Sequence, residues 1–329
     1  MKSLLLHCIF LAVAITGSTG CKYVKTSQAI NPPSSSLLKW DKDTRENLFT
    51  GAELCHTAYG SHLDEKDGGK YYEKALDEFT RRGIDATYFA IKRLNGIYPE
   101  LYFLSVPQSD AVTVLFVGTN DDYDWFQNLK VSNFEDVARD GEFYIFPGHA
   151  GFRSGLLQIL KKGLIDELKN HVKNYNVRSA CDTKIAITLL GHSQGAGLVQ
   201  LSLTIFDGLV YRGKELVTKP GHHFHVARAY AYAAPYAVST TVKEDSGVHQ
   251  WDEIDQRYPD KLITVLRDHD LAGVAYNVIT YKNQIPSRHF GQFVRINRDG
   301  DVFFEDTRWE REEPHSIANY AKALKPHSE

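Results

Sequence analysis

Leu189-Leu190-Gly191-His192-Ser193-Gln194-Gly195-Ala196-Gly197-Leu198 is the stretch whose reading decides the fold. Ile185-Ala186-Ile187-Thr188 runs into it, apolar and β-branched, and reads with Leu189 and Leu190 as a buried strand. An apolar helical pattern, Ala196 to Phe206, follows it. A strand that turns through Gly-x-Ser-x-Gly directly into a helix is the setting in which the serine becomes a nucleophile. The reason is geometric. A serine on so sharp a turn takes strained dihedrals, and residues without a Cβ let strand and helix pass that closely. The bland alternative is an ordinary glycine-rich turn between strand and helix.

Outward from this elbow, strand and helix patterns alternate. Thr44 to Tyr59 and Tyr71 to Arg81 read as helices. Leu101 to Val106 and Val112 to Val117 read as strands on either side of Pro107-Gln108-Ser109-Asp110. Phe143 to Phe146 reads as a short strand. Phe152 to Tyr175 reads as one long amphipathic helix, with Leu157, Leu160, Leu164, Leu168 and Val172 on its apolar stripe. Ala227 to Ala233 and Leu262 to Leu266 are further strands. Val294–Ile296 and Val302–Phe304 flank Asn297-Arg298-Asp299-Gly300, a hairpin signal. Ser316 to Leu324 reads as a terminal helix. The alternation predicts an α/β fold with parallel central strands. In such sheets the chemistry lies on loops at the carboxyl ends of strands. Thr119, Ser193 and Asp270 all follow such ends.

With 43% hydrophobic and 24% charged residues, the 329-residue chain can bury a substantial core. Its formal net charge of −3, with no basic block, argues against nucleic acid as a partner. Lys2, the apolar run Leu4 to Ile15 and the small residues Thr16 to Gly20 resemble a secretory signal peptide over residues 1–20. The run is short for a bilayer span. Cys21 after Gly20 resembles a bacterial lipoprotein cleavage site, although Ser18 stands where such sites prefer Leu. The alternative is a plain cleavable signal with Cys21 incidental. Residues 21–37, with Asn31-Pro32-Pro33-Ser34-Ser35-Ser36, read as a flexible tether. Residues 38–329, without a repeat or second linker, read as one domain. Cys55 and Cys181 either pair in an oxidising compartment or stay buried thiols. Gly221-His222-His223-Phe224-His225 brings three histidines close, but no carboxylate or thiolate joins them at helical spacing. A solvated loop leading into a strand is the reading there, with no metal and no cofactor expected.

A serine needs a base, and the base an orienting carboxylate. On folds with this elbow the chain order is Ser, then Asp or Glu, then His. The acid should leave the strand Leu262 to Leu266, where Asp268 and Asp270 both qualify. His289, His315 and His327 follow, the last in the terminal tail.

Several of these segments together resemble the class 3, fungal-type triacylglycerol lipase family of α/β-hydrolases. Val114 to Thr119, followed by Asp124-Trp125 and Asn128-Leu129, resembles the family's strand ending in Arg-Gly-Thr/Ser and the Asp-Trp-x-x-Asn/Asp-Leu after it. His149-Ala150-Gly151-Phe152 resembles its His-x-Gly-Phe before a long helix. Thr188 to Gly195 resembles its Thr-Gly-His-Ser-Leu-Gly region, and Tyr232-Ala233-Ala234-Pro235 its Phe-Gly-x-Pro. His315-Ser316-Ile317-Ala318-Asn319-Tyr320 resembles its late His motif before the last helix. The resemblance runs from about Leu48 to Leu324.

It implies an α/β-hydrolase fold, a mostly parallel central sheet with helices on both faces. It also implies a triad of Ser193, Asp270 and His315. His289, in Arg288-His289-Phe290-Gly291-Gln292-Phe293, resembles a non-catalytic family feature before an edge hairpin. The oxyanion hole would use the backbone N–H groups of Gln194 and Thr119, and Tyr123, Trp125, Phe126 and Leu129 would lie in a lid or in a helix fixed on the core. Several positions depart from the family pattern. Val117 stands for its common Arg and Gln194 for its common Leu, and neither removes a backbone donor. Arg267 stands for its Asn three residues before the acid, and Leu271-Ala272-Gly273 for a turn that carries proline. The expectation is a secreted or envelope-anchored serine carboxylester hydrolase acting on lipid esters, in contact with a membrane or lipid surface. The alternatives are a short-chain, phospholipid or feruloyl-type esterase with the same triad, or a non-catalytic surface protein on a hydrolase scaffold.

Overall fold

The computed structural model describes residues 21–25, 44–59, 71–93, 96–97, 101–105, 111–118, 143–146, 149–174, 184–212, 215–235, 237–238, 257–258, 261–267, 292–296 and 302–303. The elements in chain order begin with β1 (Cys21–Lys25), α1 (Thr44–Tyr59), α2 (Tyr71–Arg81), β2 (Asp85–Arg93), β3 (Gly96–Ile97), β4 (Leu101–Ser105) and β5 (Ala111–Phe116). Next come α3 (Ala150–Lys161), α4 (Leu164–Asn174), β6 (Ile185–His192) and α5 (Gln194–Phe206). They close with β7 (Leu209–Arg212), β8 (Glu215–Thr218), β9 (Phe224–Tyr232), β10 (Leu262–Arg267), β11 (Gln292–Ile296) and β12 (Val302–Phe303).

One sheet organises the chain, in the order β1-β2-β4-β5-β6-β9-β10-β11-β12, with β3 paired to β2. From β5 to β11 every neighbouring pair is parallel. The antiparallel strands lie at the two sides, β1, β2 and β4 on one and β12 on the other. Parallel neighbours need crossovers. The chain supplies α3 and α4 between β5 and β6, and α5 between β6 and β9.

Alternation along each central strand sends its side chains to two separate cores. Val112, Val114, Phe116, Leu189, Ala229 and Ala231 face a core shared with α3, α4 and α5. Leu115, Val117, Leu190, Tyr230, Tyr232 and Val265 face a core shared with α1 and α2. The central strands are buried on both faces, which is why they read as continuous apolar runs. Helices therefore cover both faces of a mostly parallel sheet, the α/β-hydrolase architecture.

The long helix expected over Phe152 to Tyr175 is two helices. Gly163 lies at φ +94, left-handed backbone that a glycine takes at no steric cost. Its N–H donates to the Leu160 carbonyl at 3.0 Å, and that of Lys162 to Gln158 at 3.0 Å, so α3 ends there. The break also resets the helical phase. Phe152, Leu156 and Ile159 make the buried face of α3, and Leu157 is 37% exposed, not on the buried stripe. After the break Leu164, Leu168 and Val172 are buried as expected. Phe143 to Phe146 is likewise no strand. Its pairing is a single antiparallel bridge from Phe143 to Val210, although Tyr144, Ile145 and Phe146 are buried.

Five further strands, β1, β2, β3, β7 and β8, were not anticipated. Cys21–Lys25, the start of the expected tether, pairs antiparallel with β2, from Cys21 opposite Ile91 to Lys25 opposite Thr87. β2 itself was missed despite Thr87, Tyr88, Phe89 and Ile91, residue types that favour strands. β7 and β8 form an antiparallel pair with Arg212 opposite Glu215. Two short β-rich runs separated by two residues are a hairpin signal that was present in the sequence. The helix expected over 316–324 lies outside the described residues. Among the described residues no helix is long and apolar enough to cross a membrane.

The break at Gly163 gives a stability expectation. A Cβ at this position meets nothing within 4 Å, so its cost is conformational alone. Gly163→Ala should lower the unfolding free energy by about 1–2 kcal/mol, and Gly163→Asn by less, read by urea denaturation.

Candidate active site

The elbow occupies the centre of the sheet. β6 ends at His192 and α5 begins at Gln194, leaving Ser193 alone between them at φ 56, ψ −121. A positive φ is rare for a residue with a Cβ and costs on the order of 1–3 kcal/mol. The surroundings hold it there. The Ser193 N–H donates to the Tyr232 carbonyl at 2.9 Å, and the Ser193 carbonyl accepts the Gly197 N–H at 3.2 Å. All thirteen residues of α5 are buried, so the helix has no freedom to relax outward. Along residues 187–210 every position is buried except Ser193.

The glycines are required by contact. A Cβ on Gly191 would run into the Gly195 carbonyl and lie 2.8 Å from the Ala196 nitrogen. A Cβ on Gly195 would overlap the Phe116 carbonyl oxygen and lie 2.9 Å from its carbon. The first α5 turn is thus pressed on the end of the neighbouring strand. On Gly197 a Cβ would approach the Phe152 ring at 3.0 Å and the Pro235 ring at 3.2 Å. Gly197 thereby lets α5 pack on α3.

Parallel register brings several chain exits to the same end of the sheet. Phe116 lies opposite Gly191, His192 opposite Tyr232, and Tyr232 opposite Val265. Val117 and Gly118 therefore leave β5 beside the elbow, Ala233 leaves β9, and β10 ends at Arg267. Ala233 also has a positive φ, of 51, and its N–H donates to the Val265 carbonyl at 2.9 Å. Two consecutive exits, β6 and β9, are thus fixed in strained backbone at one edge.

Of the residues expected at the site, the described structure contains Ser193 and Gln194. Gln194 opens α5, where its N–H points out of the helix start and the helix dipole favours negative charge. Its side chain is buried, 5% exposed. Thr119, Asp268, Asp270, His289 and His315 lie outside the described residues, as do Tyr123, Trp125, Phe126 and Leu129. Gly118, next to Thr119 in sequence, and Arg267, next to Asp268, are the last described residues on their strands.

His192 is not aimed at solvent. It is 4% exposed, and its Nδ1 shares a hydrogen bond of 2.9 Å with the hydroxyl of Tyr59. In the sequence Tyr59 falls with Leu48, Ala52 and Cys55 on one helical face of α1 and reads as packing. Tyr232, fully buried, donates its hydroxyl to the Leu48 carbonyl at 2.7 Å. Burial raises the Tyr232 hydroxyl well above its ordinary value, so it serves as a neutral donor. Cys55 is a buried free thiol, and burial likewise pushes its pKa up, which makes it a poor nucleophile.

The three close histidines at the opposite end of the sheet do separate things. His222 Nε2 contacts the Phe206 carbonyl oxygen at 2.8 Å. His223 is exposed, and His225 lies half-buried on β9. Burial lowers the pKa of both His222 and His225. Among the described residues no group of three or more His, Cys, Asp or Glu is placed to hold a metal.

No protein-family model matches the chain, and no curated protein matches it. Solved structures of fungal lipases are similar to it. A triacylglycerol lipase from Penicillium expansum is 11% identical, with a TM-score of 0.49 over 79% of this chain and 82% of that one. A lipase from Yarrowia lipolytica is 16% identical, with a TM-score of 0.48 over 84% and 83% of the two chains. One from Rhizopus microsporus var. chinensis is 17% identical, with a TM-score of 0.47 over 83% and 81%.

The elbow's dependence on bare backbone is open to test. Gly195→Ala drives a Cβ into the Phe116 carbonyl, and backbone cannot swing aside as a side chain can. It should cost about 1–3 kcal/mol of stability, read by thermal unfolding.

Proposed function

We propose that this chain is a serine carboxylester hydrolase acting on lipid esters. The observation that carries the reading is Ser193 itself. It is the one residue of 187–210 that is not buried, and it is held in strained backbone between a central strand and a buried helix. Such strain persists only where the surroundings over-determine it, and it concentrates at working sites.

In this reading the Ser193 hydroxyl attacks the ester carbonyl while His315 takes its proton. Asp270 holds the imidazole tautomer and stabilises the imidazolium. The N–H groups of Gln194 and Thr119 bind the oxyanion, each contributing about 3 kcal/mol to the transition state. The N-terminal position of Gln194 on α5 supports its part in this. His315 then protonates the leaving alcohol, and water repeats the cycle on the acyl-enzyme. The substrate class, an acylglycerol or related lipid ester, comes from the sequence resemblance and from the likeness to lipases. The signal-like residues 1–20 and Cys21 support a secreted or envelope-anchored enzyme at a lipid surface.

Ser193→Ala should abolish hydrolysis of a p-nitrophenyl ester with little change in unfolding temperature. His315→Ala should lower kcat nearly as far, because triad members act as a unit, and His289→Ala should be much milder. Full activity in Ser193→Ala would reject the serine mechanism. A reversed histidine ranking would move the base to His289.

The lipid-ester reading makes its own demand. Activity should rise when an ester passes its solubility limit into emulsion or micelles. Replacing Trp125 and Phe126 with Ser should remove that rise and spare hydrolysis of a small soluble ester. A flat profile across the limit, unchanged in the double variant, favours a soluble-ester esterase.

A further inference from the structure

Tyr59 is the last residue of α1 and stands 133 positions before His192, yet the two side chains share a hydrogen bond of 2.9 Å. Their rings meet edge to face, 5.6 Å between centroids at 76°. Gly118 lies against both. A Cβ built on Gly118 would overlap the Tyr59 hydroxyl and come within 2.6 Å of the His192 carbonyl oxygen. The backbone leaving β5 is therefore wedged against the pair with no room for a side chain. Gly118 precedes Thr119, the residue expected to give the second oxyanion donor, and His192 precedes Ser193.

The opposite end of α1 is fastened beside the same elbow. The Tyr232 hydroxyl donates to the Leu48 carbonyl at 2.7 Å, and the Tyr232 carbonyl accepts the Ser193 N–H at 2.9 Å. A Cβ on Gly51 would overlap the Tyr232 hydroxyl, so α1 is in close contact along its middle too. Two tyrosine hydroxyls thus tie one helix to His192 and Tyr232, which lie opposite one another in the sheet.

We propose that Tyr59 and His192 are a positioning pair that fixes the Gly118 backbone against the nucleophile elbow, and so holds Ser193 in its attacking position. The proposal rests on the serine-hydrolase reading of Ser193. Neither residue touches the reacting atoms in it. Both act through the backbone of the residue that each one abuts. A reacting group must be held close to its productive position, and a misplacement near 1 Å costs roughly 100-fold. Loss of the pair should therefore appear in kcat, while KM for a small ester, governed by ground-state binding, stays near its wild-type value.

The test is turnover per titrated site. Wild type, Tyr59→Phe, His192→Leu and the double variant are titrated with a fluorophosphonate to count competent serines. kcat and KM for p-nitrophenyl butyrate are then measured on the same samples. Tyr59→Phe should lower kcat per titrated site about 10-fold with KM little changed. The double variant should lose no more than the larger single loss, since one shared bond is removed. Tyr59→Phe, a conservative change, carries the test alone if His192→Leu does not fold. Unchanged turnover per titrated site in Tyr59→Phe, with merely fewer sites or a lower unfolding temperature, assigns the pair to folding and overturns the proposal. A folded wild-type chain that neither titrates nor hydrolyses overturns the functional reading, and this inference with it.

Discussion

The close approach of the first turn of α5 to the end of β5 is the constraint on which the rest of the structure depends. Gly195 lies so near the Phe116 carbonyl that no side chain fits between them. Gly191 lies equally near the Gly195 carbonyl. With strand, turn and helix compressed in this way, the residue between them has one course, a positive φ. Position 193 accepts that strain because both of its neighbours in the chain are buried and its N–H is bonded to the Tyr232 carbonyl. Remove the compression and Ser193 would relax to ordinary backbone, where its hydroxyl would point elsewhere.

What holds the compression is the two-sided core. α5 is buried along its whole length against one face of the sheet, and α1 with α2 covers the other. Lateral order comes from the parallel register, which sets the ends of β5, β6, β9 and β10 side by side. Hydroxyl-to-backbone and hydroxyl-to-imidazole bonds from Tyr232 and Tyr59 then join the α1 side to the elbow. The sheet supplies position, the helices supply pressure, and the polar bonds tie α1 to the elbow.

Much of this was legible in the sequence, for identifiable reasons. α1 and α2 were read at their observed bounds because their apolar positions recur at helical spacing. The buried strands β6 and β10 were readable because a strand covered on both faces shows as an unbroken apolar run. The strand–turn–helix course through Ser193 and Gln194 was readable because Gly-x-Ser-x-Gly encodes a contact between backbones. The misreadings share one cause, which is that local pattern does not report phase or partner. A Leu at 157, 160 and 164 continues a helical stripe on paper, but the left-handed turn at Gly163 rotates the second half. The apolar residues 143–146 are buried, yet they lack a strand to pair with beyond one bridge. Tyr59 reads as packing because its hydrogen-bond partner, His192, is remote in sequence. Asp270, His315 and Thr119 were assigned from chain order and family resemblance, and their positions lie outside the described residues.

The site of covalent labelling tests the proposed nucleophilic role of Ser193. The folded protein is treated with a fluorophosphonate, digested, and its peptides sequenced by mass spectrometry. A single phosphonylated residue, Ser193, is expected, and no adduct after unfolding in urea, because activation requires the folded elbow. An adduct on another residue, or none on Ser193 in folded protein, would contradict that role.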